Sequence, residues 1–360
     1  MNVVFRVDAG LHIGTGHVMR CLTLAQLALQ QGARCHFVMS DCPGHLAHAV
    51  QALGHQVTLL ATGSVPNENY CPHAKWLPRH WQEDATLTLA VVQAADCDWV
   101  VVDHYGLDAQ WERVVAIDGV ELLVVDDLAD RHHVCDVLVD QTFGRDPETY
   151  RSWVPATCKI LAGSRFAMLR QEFAARRQDA MARRAAFDRN APRVLVTMGG
   201  VDASNIAGRV LKLLVDSSLP DTTRVTVLVG ANNPWQDAVA RFAMHARMTI
   251  EVRVDATDVA RIMADSDIAV GAGGTTSWER CCLGLPSVLV VLADNQRFVA
   301  QSLGAAGATE VIGSIELLDD ELAPSVQRLL DPSHYLNMSQ AAAAIVDGQG
   351  ASRVLQELMG

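Results

Sequence analysis

The sequence lacks the usual signals of export, membrane insertion and nucleic-acid binding. No run approaches the ~20 apolar residues of a spanning helix, and the first eight residues enter a β-branched run without the basic and long apolar segments of a signal peptide. A soluble, cytoplasmic protein without a membrane partner is expected. Positive charge is scarce too: 29 Lys and Arg against 41 Asp and Glu leave a net charge of −12, which argues against nucleic acid as a partner. Backbone N–H groups can still hold phosphates. The nine cysteines contain no C-x-x-C pair and read as reduced, buried thiols, with Cys281 and Cys282 packing on a helix. His132-His133 has no third ligand nearby in sequence, so no metal is expected. The dinucleotide pattern G-x-G-x-x-G is also missing, since Gly10, Gly14 and Gly16 are spaced differently.

What is present is a long, apolar, weakly charged chain. Half of its 360 residues are hydrophobic and 19% are charged, which suits packed globular domains, and the length favours two of them. Short apolar runs at 3–5, 35–39, 56–60, 99–103 and 121–127 alternate with helical patterns. This is an α/β arrangement with a parallel sheet and crossover helices. A second series of the same kind starts at Arg193. The expected division is a Rossmann-like domain over 1–172, an interdomain helix or linker over 173–191, a second Rossmann-like domain over 192–335 and a helical tail over 336–360. The basic, alanine-rich run near 176–184 reads as a solvated face, and the proline-containing stretch 62–78 as a loop that could border a site.

The chemistry is expected at strand–glycine–helix junctions. The first, Asp8-Ala9-Gly10-Leu11-His12-Ile13-Gly14-Thr15-Gly16-His17, leaves the first strand and opens a helix near Gly16. Gly14 and Gly16 permit close backbone approach, and the helix start offers free N–H groups and a positive dipole end. His17 stands at that opening, where imidazolium is disfavoured, as a candidate acceptor of a proton from water or a hydroxyl; a structural hydrogen-bond role is the plainer alternative. Arg20, one turn later, either reaches the same cleft or pairs with an acid. Asp103, His104, Tyr105 and Asp127 follow strand ends and are plausible cleft residues, although such an Asp often caps the next helix.

Gly199-Gly200, followed by Asp202 and Asn205, makes a second junction, and Gly273-Gly274-Thr275-Thr276 a third. The third offers consecutive N–H groups, two hydroxyls and a helix start, enough to neutralise a diphosphate without a metal. Glu279 is placed to accept from a ribose diol, or else to complete a capping box with Thr275 or Thr276. Asn295 and Gln296 carry amides suited to sugar hydroxyls.

Taken in order, Arg6-Val7-Asp8, the run 13–25, Val102-Asp103-His104-Tyr105, Gly199-Gly200-Val201-Asp202 with Asn205, and the run 271–279 with Asn295-Gln296 resemble the UDP-2,4-diacetamido-2,4,6-trideoxy-β-L-altropyranose hydrolases of pseudaminic acid biosynthesis. The resemblance implies two Rossmann-like domains facing across a cleft, the glycosyltransferase B architecture of MurG-type enzymes, with UDP held mainly by the second domain and no metal or other cofactor. It implies His17 as general base, Gly273 to Thr276 at the diphosphate and Glu279 at the ribose. Asn205, Asn295 and Gln296 would lie near phosphate or sugar, and the backbone between Val254 and Val259 beside uracil. Arg6, Asp8, Gly14, Gly16, Arg20, Tyr105, Gly200 and Asp202 complete the expected substrate-binding set. The implied reaction is inverting hydrolysis of a UDP-activated diacetamido trideoxy sugar. A transferase of the same architecture and a non-catalytic nucleotide-sugar-binding protein are the alternatives.

Overall fold

Strands buried on both faces cannot alternate polar and apolar residues, and the run Trp99–Asp103 is buried at every position. It lies inside a seven-stranded parallel sheet. The computed structural model describes residues 1–63 and 70–360, so part of the loop expected at 62–78 lies outside the described residues. It divides into two units, Met1–Arg170 with Gln349–Gly360, and Gln171–Gly348.

The first unit contains β1 (Asn2–Val7), α1 (Gly16–Gln30), β2 (Arg34–Ser40), α2 (Ala47–Ala52), β3 (Gln56–Leu60), α3 (Trp81–Ala94), β4 (Trp99–Asp103), α4 (Ala109–Val115), β5 (Glu121–Val125), β6 (Val137–Asp140) and β7 (Lys159–Ala162). The strand order is β3-β2-β1-β4-β5-β6-β7, all parallel. Apolar clusters cover both faces, one around Val18, Leu24 and Phe37 and the other around Val100, Leu107 and Trp111.

The second unit begins with α5 (Gln171–Ala185) and continues through β8 (Arg193–Thr197), α6 (Ile206–Asp216), β9 (Arg224–Val229), α7 (Gln236–Met244), β10 (Thr249–Val254) and α8 (Val259–Asp265). It is completed by β11 (Ile268–Ala272), α9 (Thr276–Cys282), β12 (Ser287–Val290), α10 (Arg297–Ala305), β13 (Glu310–Ile312), α11 (Leu318–Arg328) and α12 (Pro332–Ile345). Its six parallel strands are ordered β10-β9-β8-β11-β12-β13. Each sheet reverses its winding beside its first strand, at β1/β4 and β8/β11, where open α/β sheets place ligands.

Two expectations about the connections need correction. The stretch 173–191 is largely α5, the helix alternative, but its basic run is only partly a solvated face: Arg176 is exposed, whereas Arg177 and Arg184 are taken up by the fold. Arg184 is buried and donates to the carbonyls of Met263, Ala264 and Ser266 at the end of α8, while Arg177 donates to those of Cys282, Ala343 and Val346. Guanidinium groups there satisfy carbonyls that helix ends leave unpaired. The tail 336–360 is not one element either: α12 belongs to the second unit, whereas α13 (Gly350–Met359) packs Val354, Leu355 and Leu358 into the α1 side of the first. The cysteines are all free, and all but Cys42 and Cys71 are buried. Among the described residues no helix is long and apolar enough to cross a membrane.

Candidate active site

Because β1 and β4 are parallel neighbours with Val7 opposite Asp103, everything leaving their carboxyl ends emerges on one edge of the sheet. After β1 the chain folds back on itself, with Gly10 and Gly14 exchanging two backbone hydrogen bonds of 3.2 and 2.8 Å. Gly14 adopts φ +81° there, a left-handed conformation that a side chain would strain. Gly16 then starts α1, and Thr15 makes no side-chain cap. His17, in the first turn, is thereby held at the sheet edge.

His17 is 8% exposed, and its Nδ1 lies 2.6 Å from Asp103 Oδ1. Asp103 is also gripped by Arg20, through Nε at 2.6 Å and Nη2 at 2.7 Å. Burial would raise Asp103, but the charges of Arg20 and His17 outweigh it and hold the carboxyl well below its ordinary range. An ionised Asp103 only accepts, so His17 Nδ1 carries a proton and donates it. The 3.2 Å approach of Arg20 Nη2 to the same nitrogen is then a close contact between donors, not a bond. In the neutral ring this bond fixes the tautomer and leaves the lone pair on Nε2, which has no hydrogen-bond partner among the described residues. Tyr105 meets His17 edge-on at 4.7 Å, and Trp76, from a short turn at Ala74–Trp76, does so at 6.1 Å. The Tyr105 hydroxyl donates to Asp127 (2.5 Å), whose other oxygen accepts from Arg20 Nη1 (3.1 Å). Burial, reinforced by Asp127, pushes the Tyr105 phenol up, so it remains a donor.

Arg6 and Asp8 are enclosed by the fold at the end of β1. Both are fully buried: Arg6 donates to Asp8 (2.7 Å) and twice to Asp84 (2.9 and 2.7 Å). Asp84 also accepts from Arg79 and Trp111, each at 2.9 Å. Asp8 takes the N–H and hydroxyl of Ser40. With these groups already engaged, Arg6 and Asp8 hold the end of β1 and the end of β2 together rather than offering contacts to a ligand. Sequence reading placed Asp103 in the cleft without identifying it as His17's partner; its signal was an acid closing the strand next to β1.

In the second unit all strands run the same way, so Gly199-Gly200, the segment 255–258, the 273–276 turn and Asn295-Gln296 leave carboxyl ends on one edge. Gly200 is exposed, with open space where a Cβ would stand. Asp202 and Asn205, both at positive φ, are largely occupied by the fold. Asp202 accepts from the N–H groups of Ile206 and Ala207 (2.8 Å each) and Asn205 from that of Gly208 (3.2 Å). The start of α6 thus has its anion built in, leaving the Asn205 side-chain N–H groups for a ligand.

At the third turn the protein supplies no such cap. Thr275 makes no side-chain cap bond, so the capping-box alternative is not realised, and the N–H groups of Gly274, Thr275 and Thr276 have no acceptor among the described residues. The Gln296 side-chain oxygen Oε1 accepts from the N–H groups of Leu292 (3.0 Å) and Gly273 (3.3 Å), tying this turn to the next one. Asn295 is exposed beside it, and Glu279 is half-buried in the first turn of α9. No group of three or more His, Cys, Asp or Glu converges on a metal position among the described residues.

Comparison with known proteins agrees with this architecture. Residues 193–357 match the glycosyltransferase family 28 C-terminal domain. The UDP-2,4-diacetamido-2,4,6-trideoxy-β-L-altropyranose hydrolase of Campylobacter jejuni is 23% identical over 85% of this chain and 97% of its own length. Spore coat polysaccharide biosynthesis protein SpsG of Bacillus subtilis is 23% identical over 99% and 98%. The crystal structure of MurG from Acinetobacter baumannii matches with a TM-score of 0.72 at 15% identity, covering 99% of both chains. With two Rossmann-like domains, the chain has the glycosyltransferase B fold that MurG also has, and its sequence resembles the UDP-2,4-diacetamido-2,4,6-trideoxy-β-L-altropyranose hydrolases.

Proposed function

We propose that the protein hydrolyses UDP-2,4-diacetamido-2,4,6-trideoxy-β-L-altropyranose to UDP and the free sugar, with inversion, in pseudaminic acid biosynthesis. The observation that carries this reading is the Asp103–His17 pair, which leaves Nε2 as a base at the mouth of a glycine turn. Water hydrogen-bonded to Nε2 attacks the anomeric carbon opposite the phosphate. Its proton passes to His17, the anomeric C–O bond breaks, and its electron pair leaves with UDP. Gly273 to Thr276 bind the diphosphate, where unclaimed N–H groups stabilise the developing charge and make a metal or general acid unnecessary. Glu279 receives the ribose; Asn205, Asn295 and Gln296 bind phosphate or sugar.

A transferase reading, with a hydroxyl acceptor in place of water, is favoured by one observation, the family 28 match over 193–357. Proton NMR of candidate UDP-diacetamido sugars with the protein in acceptor-free water separates the two. Hydrolysis gives one free sugar per UDP, with the inverted anomer first. Unchanged nucleotide sugar without acceptor, and consumption with one, would establish the transferase; unchanged nucleotide in both would leave a binding protein.

A further inference from the structure

Arg280, in α9, lies beneath the turn that opens this helix. It is 2% exposed; Nη2 donates to the Ala272 carbonyl (2.9 Å) and the Ser277 hydroxyl (3.0 Å), and Nη1 to Thr276 Oγ1 (3.4 Å). Its Nε is buried with no partner. The other buried arginines are compensated differently: Arg6, Arg20 and Arg131 each meet two aspartates, Arg79 meets Asp84, and Arg184 takes three carbonyls at a helix end. Arg280 has no carboxylate within ion-pair distance among the described residues. Glu279 acts on it only at longer range, and a buried charge without a direct ion pair is costly, yet the fold makes room for it. A Cβ on Gly271, inside β11, would collide with Nη1. Directly above lie the three N–H groups without acceptors.

A hydroxyl that accepts from a cation turns its own hydrogen away from that cation. The Thr276 O–H, which has no acceptor among the described residues, is therefore left to donate to an occupant of the turn, strengthened as a donor by the charge behind it. We propose that Arg280 is the buried counter-charge of the diphosphate site, a positioning residue that acts on the ligand through the Thr276 hydroxyl. This rests on the reading that the 273–276 turn binds a nucleoside diphosphate. The missing carboxylate is the ligand's own phosphate, so the site is electrostatically complete only when occupied.

The test is calorimetric titration of UDP and uridine into the full chain and into Arg280→Met and Arg280→Lys, with a thermal melt of each protein without ligand. Arg280→Met is expected to bind UDP about tenfold or more weakly, with uridine changed less than about twofold. Its unliganded melting temperature should not fall, because an unpaired buried charge has been removed. Arg280→Lys keeps the charge but not the fork, and should hold the UDP-to-uridine ratio within about threefold of wild type. Should Arg280→Met not fold, the lysine variant decides: a ratio reduced tenfold overturns the proposal. An unchanged ratio in Arg280→Met, or loss of both ligands together with a lower melting temperature, also overturns it, the latter marking a mere cap for Ala272. Wild-type protein that binds no UDP removes the underlying reading; wild-type binding with an unmoved variant ratio removes this inference alone.

Discussion

Asp103 accepts from His17 through one carboxylate oxygen while Arg20 grips both, so the residue that orients the candidate base is itself immobilised by the helix that carries the base. His17 and Arg20 are three residues apart on α1, and one acid on the adjoining strand serves both. Asp103→Asn keeps the shape but offers His17 a choice of tautomers. It should lower kcat by about two to four orders of magnitude with KM nearly unchanged, and His17→Phe should abolish turnover while UDP still binds. Steady-state kinetics and UDP titration check both; near-normal turnover of His17→Phe would remove its role.

The Arg6 cluster is fully buried and internally paired, and its contribution should appear in stability. Replacing Arg6 with Ala takes the guanidinium from buried Asp8 and leaves Asp84 with Arg79 alone, at a cost of about 3–5 kcal/mol. Urea unfolding would measure this. Folded Arg6→Ala protein should keep the wild-type KM, and a rise in KM without loss of stability would restore Arg6 as a ligand contact.

Acid should unfold the protein through the same carboxylates. Burial raises Asp8, Asp84 and Asp103, but Arg6 overrides it for the first two and Arg20 for the third, so each ends below its ordinary range. A carboxylate depressed in the folded state stabilises above its unfolded pKa of about 4, and that contribution is lost as pH falls further. Asp140 opposes this: burial, helped by Asp127, raises it to about 6, so its contribution fades as pH climbs through that value. Asp126 is depressed as well and only Asp202 is raised beside Asp140, so the depressed groups outnumber the raised ones and melting temperature should drop steeply below about pH 4. Asp84→Asn should lower the neutral-pH value and flatten the acid limb.

Gly271→Ala tests the space reserved for Arg280. The added methyl would meet the guanidinium and lie 3.0 Å from the Thr197 carbonyl oxygen, so either the strand or Arg280 must shift. Lower melting temperature and weaker UDP binding are expected together, by about 1–3 kcal/mol in stability. Unaltered melting and binding would show that the site has slack.

Deleting residues 349–360 should destabilise the first unit, although they are distant from it in sequence. Val354, Leu355 and Leu358 are buried on the α1 side, at about 1.5–3 kcal/mol for each side chain. Hydrogen exchange should quicken in α1 and β1 before the second unit changes. Equal loss in both units would contradict the division at Gly348.

Much of the scaffold was legible because its causes are local. The runs at 56–60 and 99–103 are strands with those bounds, and glycine turns mark the helix starts at Gly16 and Thr276. Apolar periodicity and backbone freedom belong to neighbouring residues, so one dimension records them. Pairing across the sheet is different. Asp103 stands 86 residues from His17 and meets it because β4 lies beside β1, an order that no local pattern specifies. The inward turn of Arg6, the capping of α6 by Asp202 and the docking of α13 on the first unit are decided likewise, by which groups become neighbours once the strands are ordered. Sequence alone determined two Rossmann-like domains and where chemistry could lie. Tertiary structure decided which charges are compensated by the fold and which donors remain open, because burial and hydrogen bonding depend on three-dimensional neighbours rather than on spacing along the chain.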